Sequence, residues 1–317
     1  MPKVSVIIPI YGVEKYIERC ARSLFEQTLD DIEYLFIDDV TPDKSIDILK
    51  QVLVEYPFRK KQVVIHRMDT NSGQAAVRKW GIQNATGDFV IHCDSDDWID
   101  VDMYRVMYEK AIREEADVVV CDFNYTDGIS YKRKVKACFS DSCDEFVLDM
   151  LYQKISWAVW NKLIRKELCS SVKVFPLYAM GEDMVTTIQI ILSCEKISYV
   201  ENAYYNYYFN PNSIMNTLTR EQCMNKYLQL KGNTELLLPL LKNSFTGICY
   251  RKIEKVLRYN KTIPLLTYIY EKNFFILWKS EMKSCYSLIF DCNVKKIFKL
   301  MYVLVMLRIY PLYKCWK

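Results

Sequence analysis

Short apolar runs alternate with amphipathic stretches through about the first 125 residues of the chain. The runs are apolar at successive positions, which is typical of strands buried on both faces of a sheet. The stretches between them have apolar residues at helical spacing. The predicted strands are 4–8, 33–37, 62–66, 88–93 and 117–121, and the predicted helices are 14–27, 45–56, 74–85 and 102–115. This alternation predicts an α/β fold with a mostly parallel sheet covered by helices on both sides.

The pattern changes after about residue 125. Residues 157–168, WAVWNKLIRKEL, favour an aromatic stretch that leads into a short helix. Residues 181–194 favour a helix opened by a glycine, with two acids in its first turn, where the helix dipole stabilises negative charge. Farther on, the spacing of apolar residues is helical as far as about residue 283. We therefore predict a domain over 1–218 and a helical region over 219–317.

Charge is distributed unevenly between these two regions. The chain of 317 residues carries a net charge of +4, yet residues 220–317 hold 18 Lys or Arg and only 6 Asp or Glu. The split predicts that the basic region has a partner of its own, with a solvated basic helix face as the alternative. Nucleic-acid binding is not indicated, because the basic residues have apolar neighbours and the N-terminal region is acidic.

Cysteine and histidine usage argues against a zinc site. The twelve cysteines include no CxxC pair, and His66 and His92 are the only histidines. Scattered cysteines of this kind fit a reducing compartment, where each behaves as a small hydrophobic residue. The first residues, MPKVSVIIPIYG, form a short apolar run broken by Pro9 and do not resemble a secretory leader. We expect a cytoplasmic protein.

Acidic residues follow two of the predicted strands. Asp38 and Asp39 end the second strand, and Asp94, Asp96 and Asp97 follow the fourth. Ligands of parallel sheets bind just outside the carboxyl ends of the strands. Clustered carboxylates are costly unless a cation lies between them, and Mg²⁺ or Mn²⁺ held by one or two carboxylates and substrate phosphates is the obvious candidate. The alternative is that Asp97 caps the next helix and the other acids are solvated.

Five segments of the chain, taken in order, carry a family resemblance. They are VSVIIPIYGVEKYIERCARSLFEQT, IEYLFIDDVTPDKS, NSGQAAVRKWGIQNATGDFVIHCDSDDW, WNKLIRKEL and GEDMVTTIQIIL. Over about residues 3–210 the chain resembles family-2 glycosyltransferases of the nucleotide-sugar-binding A-type fold. The resemblance implies a nucleotide-binding sheet flanked by helices, with a helical C-terminal extension. It also implies a nucleotide-sugar half over about 1–122 and an acceptor half over about 123–218.

The resemblance implies roles for residues of the nucleotide-sugar half. Asp39 would hydrogen-bond the nucleobase, and Asp38 would support its turn. Arg78 would either lie near the nucleotide or hold the acid cluster together as an ion pair. Asp94 and Asp96 would form a DxD-type motif. Asp96 is the leading candidate ligand for Mg²⁺ or Mn²⁺, and Asp94 would contact the ribose, the donor sugar or the metal.

In the acceptor half, Asp183 matches the family's catalytic base. In an inverting transfer, one carboxylate takes the proton of the acceptor hydroxyl as its oxygen attacks the anomeric carbon, so no covalent enzyme intermediate is needed. Glu182 would orient this base or only stabilise the helix N-terminus. The chain departs from the family pattern at two places. Val40-Thr41 replaces the usual Gly-Ser, which is expected to alter the turn near the base or ribose, and Lys79 replaces the usual Asn.

The last 25 residues, 293–317, hold six basic residues and no acid. Their longest uncharged stretch, 300–307, is far shorter than the roughly 20 residues that span a bilayer. Lysines beside an apolar, aromatic segment predict a helix lying in the membrane interface, peripheral on the inner face of the cell membrane and close to a lipid-linked acceptor. A helix packed on the body of the protein is the alternative, and a homo-oligomer would use such helices as readily.

The leading hypothesis is an inverting, metal-dependent glycosyltransferase. It would move a sugar from a nucleotide-diphospho-sugar, with UDP-sugars as the first choice, to a hydroxyl of a saccharide or polyprenyl-linked acceptor. The resemblance implies a role in bacterial surface polysaccharide biosynthesis. The alternative is a non-catalytic sugar-nucleotide or glycan-binding module with a decayed site, against which the intact Asp39, Asp94, Asp96 and Asp183 argue. A nucleotidyltransferase is disfavoured, because PIYGVEKYI after the first strand holds a single glycine.

Overall fold

The computed structural model describes residues 1–137, 140, 142–209, 219–283 and 285–309, which form two compact units. The first unit comprises the described residues of Met1–Val147, Ile155–Phe175 and Glu182–Asn212. The second comprises those of Leu148–Lys154, Pro176–Gly181 and Ser213–Lys317. The second unit therefore draws on three separate parts of the chain.

The first unit is built on one sheet, in which nine strands lie within the described residues. The strands are β1 (Val4–Ile10), β2 (Ile32–Asp38), β3 (Val63–Arg67), β4 (Phe89–His92), β5 (Trp98–Ile99), β6 (Val118–Thr126), β7 (Lys132–Val135), β8 (Lys162–Arg165) and β9 (Ile197–Tyr208). Their order is β3-β2-β1-β4-β8-β6-β9-β5, with β7 paired to β6. β3, β2, β1 and β4 pair in parallel, as the apolar runs predicted.

Beyond β4 the sheet becomes mixed, because β8 enters antiparallel to both β4 and β6. The prediction of a short helix within 157–168 is wrong at Lys162–Arg165, which form this strand, and a 3-10 turn over Lys166–Ser171 follows it. Leu163 and Ile164 are both buried. A strand covered on both faces has no alternation, so over four residues it cannot be told from a buried helical turn.

The helices, in chain order, follow the predicted amphipathic stretches closely through the first unit. They are α1 (Ile17–Phe25), α2 (Ser45–Glu55), α3 (Gln74–Asn84), α4 (Met103–Glu114), α5 (Cys143–Leu151), α6 (Glu182–Leu192), α7 (Arg220–Ser244), α8 (Gly247–Thr262), α9 (Lys272–Met282) and α10 (Lys296–Met306). Among the residues that the structure describes, no helix is both long and apolar enough to cross a membrane.

Helices cover both faces of the parallel half of the sheet. Val4 and Val6 of β1 belong to a core cluster that includes Leu24 of α1. Ile7 points to the opposite face, where a Cβ atom added to Gly81 of α3 would lie 2.5 Å from its Cγ2 atom. Glycine at this position therefore lets α3 approach β1 closely. That approach matters for function, because α3 carries an arginine at the carboxyl edge of the sheet.

Buried asparagines hold the three parts of the second unit together. Asn233 of α7 is fully buried and donates to the carbonyl oxygens of Tyr178 and Met180, at 2.8 Å each. Asn260 of α8 donates to the carbonyl oxygen of Leu151 at 2.8 Å. The two short segments are thus fixed to α7 and α8 through hydrogen bonds to their backbone carbonyls.

The turn after β2 adopts a strained backbone. Val40 has a φ of +59°, in the left-handed region that a residue with a branched Cβ rarely adopts. Its neighbours fix the turn, since the Thr41 N–H donates to Asp38 Oδ1 at 2.7 Å and Thr41 Oγ1 accepts from the Gly12 N–H at 2.9 Å. The family's glycine would adopt this conformation without strain. Val40 therefore adds backbone strain to this turn.

Lys162, the first residue of β8, is a fully buried cation. Its ammonium group donates to the carbonyl oxygens of Ser156 and Ala158 and to Asn161 Oδ1, at 2.9, 2.7 and 2.9 Å. All three acceptors are neutral. Burial lowers the pKa of Lys162 to about 7, although the charge of Asp183 acts in the opposite direction.

The free energy of unfolding of Val40→Gly is expected to be about 0.5–1 kcal/mol higher than that of Val40→Ala. Both variants lose the branched side chain, but only glycine removes the Cβ atom that makes positive φ costly, by about 1–2 kcal/mol, and part of this gain is offset by the greater freedom of glycine in the unfolded chain. Urea denaturation measures the difference. Equal stability of the two variants would contradict the strain.

The stability difference between the wild-type protein and Lys162→Met is expected to depend on pH. Between pH 7 and 9 the unfolded chain keeps the lysine proton while the folded protein loses it. The free energy of unfolding of the wild type therefore rises relative to the variant, by up to about 2 kcal/mol, and is flat below pH 7. Denaturation at several pH values measures this. Lys60→Met, at an exposed lysine, should give no such divergence, and parallel curves for Lys162→Met would contradict the lowered pKa.

Candidate active site

The carboxyl ends of β1, β2 and β4 meet at one edge of the sheet, beside a cavity of about 410 Å³. Asp39, Asp94 and Asp96 contribute to its wall, so the two acidic clusters of the sequence lie together. Ser95, between Asp94 and Asp96, also lines the cavity. The remaining lining residues come from the end of β1 and the segment after it, and from the start of α3 and the segment before it: Pro9, Ile10, Tyr11, Val13, Asn71, Gly73, Gln74 and Val77. This is the position at which ligands bind to sheets of this type.

Asp38 and Asp39 have different surroundings at the end of β2. Asp38 is 2% exposed, and its second carboxylate oxygen accepts from Arg67 at 2.5 Å. Asp39 accepts from the backbone N–H groups of Ser72 and Gly73, at 2.7 and 2.9 Å. Asp38 thus holds the turn, while Asp39 joins that turn to the start of α3 and faces the cavity.

Arg78 of α3 joins the end of β4 to the start of α6. Its guanidinium group is 4% exposed and lies between three carboxylates. One terminal nitrogen donates to Asp94 Oδ1 at 2.6 Å, and the other contacts both Glu182 and Asp183. Of the two roles that the sequence left open for Arg78, these contacts are of the ion-pair kind. A contact of Arg78 with a nucleotide stays a prediction.

The two acids of α6 share the charge of Arg78 unequally. Burial alone raises the pKa of Asp183, but the charge of Arg78 and a hydrogen bond with Glu182 outweigh it, so this pKa lies below its usual range. Burial, aided by the charge of Asp183, raises the pKa of Glu182 well above its usual range. The two acids and Arg78 therefore titrate as one coupled group, in which the pKa of Asp183 is lowered and that of Glu182 is raised. Glu182 lies inside the cluster, not on an exposed helix terminus.

Asp96 differs from the other acids of the cluster. No ion pair joins its carboxylate to any described residue. Burial, with the nearby charge of Asp94, raises the pKa of Asp96 to about 6. Asp94 itself is already paired with Arg78. The carboxylate of Asp96 therefore lies at the cavity wall without a cation of its own.

Asp97 is a structural residue of the loop. It is 1% exposed and accepts from the Tyr205 hydroxyl at 2.6 Å and the Tyr208 N–H at 2.7 Å, both on β9. Tyr205 also accepts from the Asp94 N–H at 3.1 Å. The alternative that Asp97 caps the next helix is wrong, because α4 begins after Asp102. β9 thus holds both ends of the Asp94–Asp97 loop.

The donor set at the cavity suits a hard divalent cation that is completed by substrate. Among the described residues, no group of three or more His, Cys, Asp or Glu side chains forms a metal-binding cluster. Asp96, with Asp94 beside it, supplies one or two carboxylates, which is the protein share typical of Mg²⁺ held with diphosphate and water. One guanidinium cannot neutralise Asp94, Asp96 and Asp183 together. The residues present therefore fit Mg²⁺ or Mn²⁺ bound together with a diphosphate.

The structure places the sequence-predicted site residues in two groups. Arg78, Asp94 and Asp183 are in direct contact, and Asp39, Asp94 and Asp96 line the cavity. The sequence also offers YYNYYFNPNSI, 204–214, as a lip over the acceptor or as aromatic packing. Residues 204–208 lie on β9, and residues 210–214 lie outside the described residues.

Sequence reasoning missed Tyr205 and the contribution of Arg19, which donates to the Asp96 carbonyl oxygen at 3.0 Å. Both contacts join residues more than 70 positions apart. The tyrosine was recognisable only as one of several in an aromatic run, and the arginine only as a polar position of an amphipathic helix.

Comparison with known proteins agrees with this geometry. The family model for glycosyl transferase family 2 matches residues 5–172. A putative glycosyltransferase, EpsH of Bacillus subtilis, is 31% identical over 68% of this chain and 63% of its own length. A poly(ribitol-phosphate) beta-glucosyltransferase of Bacillus spizizenii is 31% identical over 65% of this chain, which spans about a third of that relative's length.

A solved structure shows the same fold at low sequence identity. The chain superposes on Staphylococcus aureus TarS residues 1–349, solved in complex with UDP-GlcNAc, with a TM-score of 0.68 and 19% identity, covering 94% of this chain and 83% of that one. The A-type fold predicted from the five segments is thereby confirmed. The family model covers more than half of the chain, and on this ground the chain belongs to glycosyl transferase family 2.

Proposed function

We propose that this protein is an inverting, metal-dependent glycosyltransferase that uses a nucleotide-diphospho-sugar. One observation carries the proposal: Asp39, Asp94 and Asp96 line a single cavity, and Asp94 is joined through Arg78 to Asp183. A binding module needs the first group only. The presence of an ionised carboxylate at the start of α6, linked to the same cavity wall, is what a transfer reaction requires.

A UDP-sugar is the donor that we propose. The cavity of about 410 Å³ lies at the edge of the sheet where nucleotides bind, and Asp39 presents a carboxylate there for a base N–H. The superposed TarS structure was solved with UDP-GlcNAc, which supports a uridine nucleotide for the present chain. Asp39 lines the cavity although Val40 replaces the family's glycine in the adjoining turn, so this departure from the family pattern leaves the carboxylate at the cavity.

Asp183 is the residue that we propose as general base. The charge of Arg78 keeps the pKa of Asp183 below its usual range, which favours the carboxylate form that a general base needs. Asp183 accepts the proton of the acceptor hydroxyl as that oxygen attacks the anomeric carbon and the bond to the diphosphate breaks. Arg78 fixes the direction of the carboxylate, which contributes through positioning.

Asp96, with Asp94 beside it, is the pair that we propose to hold Mg²⁺ or Mn²⁺. The bound ion supplies neutralisation of the charge that builds on the departing diphosphate. Tyr205 and Asp97 fix the loop that carries these two carboxylates. Asp94 is also held by Arg78, so the metal ligands and the base share one rigid support.

The acceptor that we propose is a hydroxyl of a saccharide or of a polyprenyl-linked saccharide in surface polysaccharide biosynthesis. The relative named as a poly(ribitol-phosphate) beta-glucosyltransferase supports an acceptor within a polymer. The alternative is a sugar-nucleotide or glycan-binding module without activity, which predicts donor binding without release of nucleotide.

Asp96→Asn and Asp183→Asn should separate metal binding from catalysis. With a panel of UDP-, GDP- and dTDP-sugars, Asp96→Asn is expected to lose Mn²⁺-dependent donor binding. Asp183→Asn keeps the side-chain shape and an acceptor for Arg78, so it should bind the donor normally while kcat falls about 10²–10⁴-fold. Calorimetry measures binding, release of the nucleotide measures turnover, and proton NMR of the first product shows whether the anomeric configuration is inverted.

Asp88→Asn, at the opposite end of the β4 strand, is the matched control and should behave as the wild type. Full metal-dependent binding by Asp96→Asn would remove the metal assignment, and full turnover by Asp183→Asn would remove the base. Donor binding by the wild type without turnover or transfer to any acceptor would favour the binding module.

We also propose that α10 lies against a membrane surface. The helix packs on its own unit through Tyr302 and Val305, which are 9% and 2% exposed. Leu300 and Val303, three residues apart, lie toward the opposite side and are 42% and 37% exposed. One side of α10 thus packs on the protein, and the opposite side exposes apolar residues to water. A helix with such an exposed apolar side is typical of an element that lies in a membrane interface.

Basic residues beside the exposed face of α10 favour anionic lipid as its partner. Lys295, Lys296 and Lys299 lie in or next to its first turn. Each would contribute on the order of 1 kcal/mol near an anionic surface. The three lysines and the exposed apolar face together support a peripheral position on the inner face of the cell membrane, where a polyprenyl-linked acceptor is within reach. Residues 310–317, the end of the segment predicted to bind membrane, lie outside the described residues.

The double variant Leu300→Glu with Val303→Glu is expected to lose binding to vesicles that contain anionic phosphatidylglycerol. Both substitutions place charge on the exposed face and leave Tyr302 and Val305 packed. Sedimentation of the full chain with vesicles measures binding, which should also weaken as salt is raised.

Val54→Glu, at a position in α2 that is 79% exposed, is the control for adding charge at an exposed apolar site. Unchanged vesicle binding by the double variant would contradict the membrane proposal. A change from dimer to monomer in size-exclusion chromatography, without vesicle binding by the wild type, would show instead that this face joins two copies of the chain.

A further inference from the structure

Arg19 of α1 lies in an aromatic clamp beside the Asp94–Asp97 loop. The central carbon of its guanidinium group is 3.7 Å from the centre of the Trp98 ring and 4.9 Å from that of Tyr208. Both rings present their faces to the cation, an arrangement that stabilises a desolvated guanidinium group. The ring of Tyr208 also packs against that of Tyr16, just before α1, in a tilted arrangement with 5.2 Å between ring centres.

The hydrogen bonds of Arg19 go to the loop backbone and not to a carboxylate. One terminal nitrogen donates to the Asp96 carbonyl oxygen at 3.0 Å. The Nε–H group is buried without a partner. Among the described residues, no carboxylate lies within ion-pair distance of this arginine, and burial lowers its pKa. A half-buried cation without an ion-pair partner among the described residues therefore lies at this place, in contact with Trp98, Tyr208 and one carbonyl group.

Gly128 lies beside the clamp, and a Cβ atom added there would lie 3.0 Å from a terminal nitrogen of Arg19 and 3.5 Å from Trp98. Glycine at this position therefore leaves room for the guanidinium group. The carbonyl oxygen that Arg19 holds belongs to Asp96, whose carboxylate forms no ion pair with any described residue.

We propose that Arg19 is a positioning residue that fixes the Asp96 carboxylate and so sets the affinity of the site for a divalent cation. The inference rests on the proposed function, in which Asp96 holds the metal. Asp94 is held directly by Arg78, but the side chain of Asp96 has no equivalent partner, so its position depends on its backbone. Arg19 supplies the tie from α1 to that backbone. Outer contacts of this kind typically change metal affinity about 10–100-fold.

The contacts of Arg19 depend on the planar shape of its guanidinium group, which packs against two rings and donates to one carbonyl oxygen. Lysine at this position keeps a positive charge and a donor for the carbonyl oxygen, but it cannot stack on two rings while donating in a fixed direction. Glutamine keeps a donor and loses the charge. The two replacements therefore form a graded series in which lysine restores part of the effect.

The experiment measures Mn²⁺ affinity by the loss of the free-ion paramagnetic resonance signal, in the presence of saturating UDP, for the full chain. Arg19→Gln is expected to raise the Mn²⁺ dissociation constant about tenfold, and Arg19→Lys to raise it less. The Mn²⁺ concentration for half-maximal donor hydrolysis should rise in parallel, with kcat at saturating Mn²⁺ within about twofold of the wild type. Arg22→Gln is the matched control on the same helix, because Arg22 pairs with Glu18 and Glu55 and not with the loop.

Three outcomes are distinguishable. Loss of thermal stability in Arg19→Gln with an unchanged Mn²⁺ dissociation constant would overturn the positioning role, since a purely structural residue moves the first quantity alone. Equal effects of Arg19→Gln and Arg22→Gln on Mn²⁺ affinity would also overturn it. Asp96→Asn separates the failures: if that variant binds Mn²⁺ as the wild type does, the metal assignment fails first, whereas if it loses Mn²⁺ while Arg19→Gln does not, only the present inference fails.

Discussion

The ion-pair network of Arg78 is the interaction on which the rest of the site depends. A buried guanidinium group is costly in itself, and so are the buried carboxylate of Glu182 and the partly exposed carboxylates of Asp94 and Asp183, but together they compensate one another. The network joins α3, the end of β4 and the start of α6, which are separated along the chain by 16 and 105 residues. The close packing of α3 on β1 at Gly81 brings Arg78 to this position. Fold and site are therefore coupled through one side chain.

The same network divides the acids by task. Asp94 and Asp183 are held by a cation that belongs to the protein, whereas no described residue forms an ion pair with Asp96. An arginine that holds a carboxylate also lowers its basicity, so the arrangement exchanges some proton affinity of Asp183 for a fixed direction and a stable negative charge. It is a sensible exchange where the acceptor hydroxyl must be aligned with a donor sugar.

Much of the fold was predictable because its signals are local. Each strand of the parallel half is an apolar run, and the acids that follow two of them had to meet at one edge. β8 was missed because its four residues show no alternation of buried and exposed positions, and the conformation of Val40 was beyond prediction because its neighbours impose it. Glu182 was recognised only as a residue that would orient the base or stabilise the helix N-terminus, and Arg19 appeared as an ordinary polar position of a helix. Their contacts are made with residues 104 and 77 positions away, and one sequence contains no local signal for such pairs.

The composition of the second unit bears on the order in which the chain is built during synthesis. Leu151 and Asn260 are separated by 109 residues. The hydrogen bond between the Leu151 carbonyl group and the Asn260 side chain can therefore form only after α8 has been synthesised. Tyr178 waits in the same way for Asn233, 55 residues later. The two short segments leave the ribosome within the span of the first unit and are completed only by helices made after it. A nascent chain halted near residue 218 would therefore hold two stretches of backbone with their lasting partners still unmade, and a fragment cut there is not equivalent to an intact first unit.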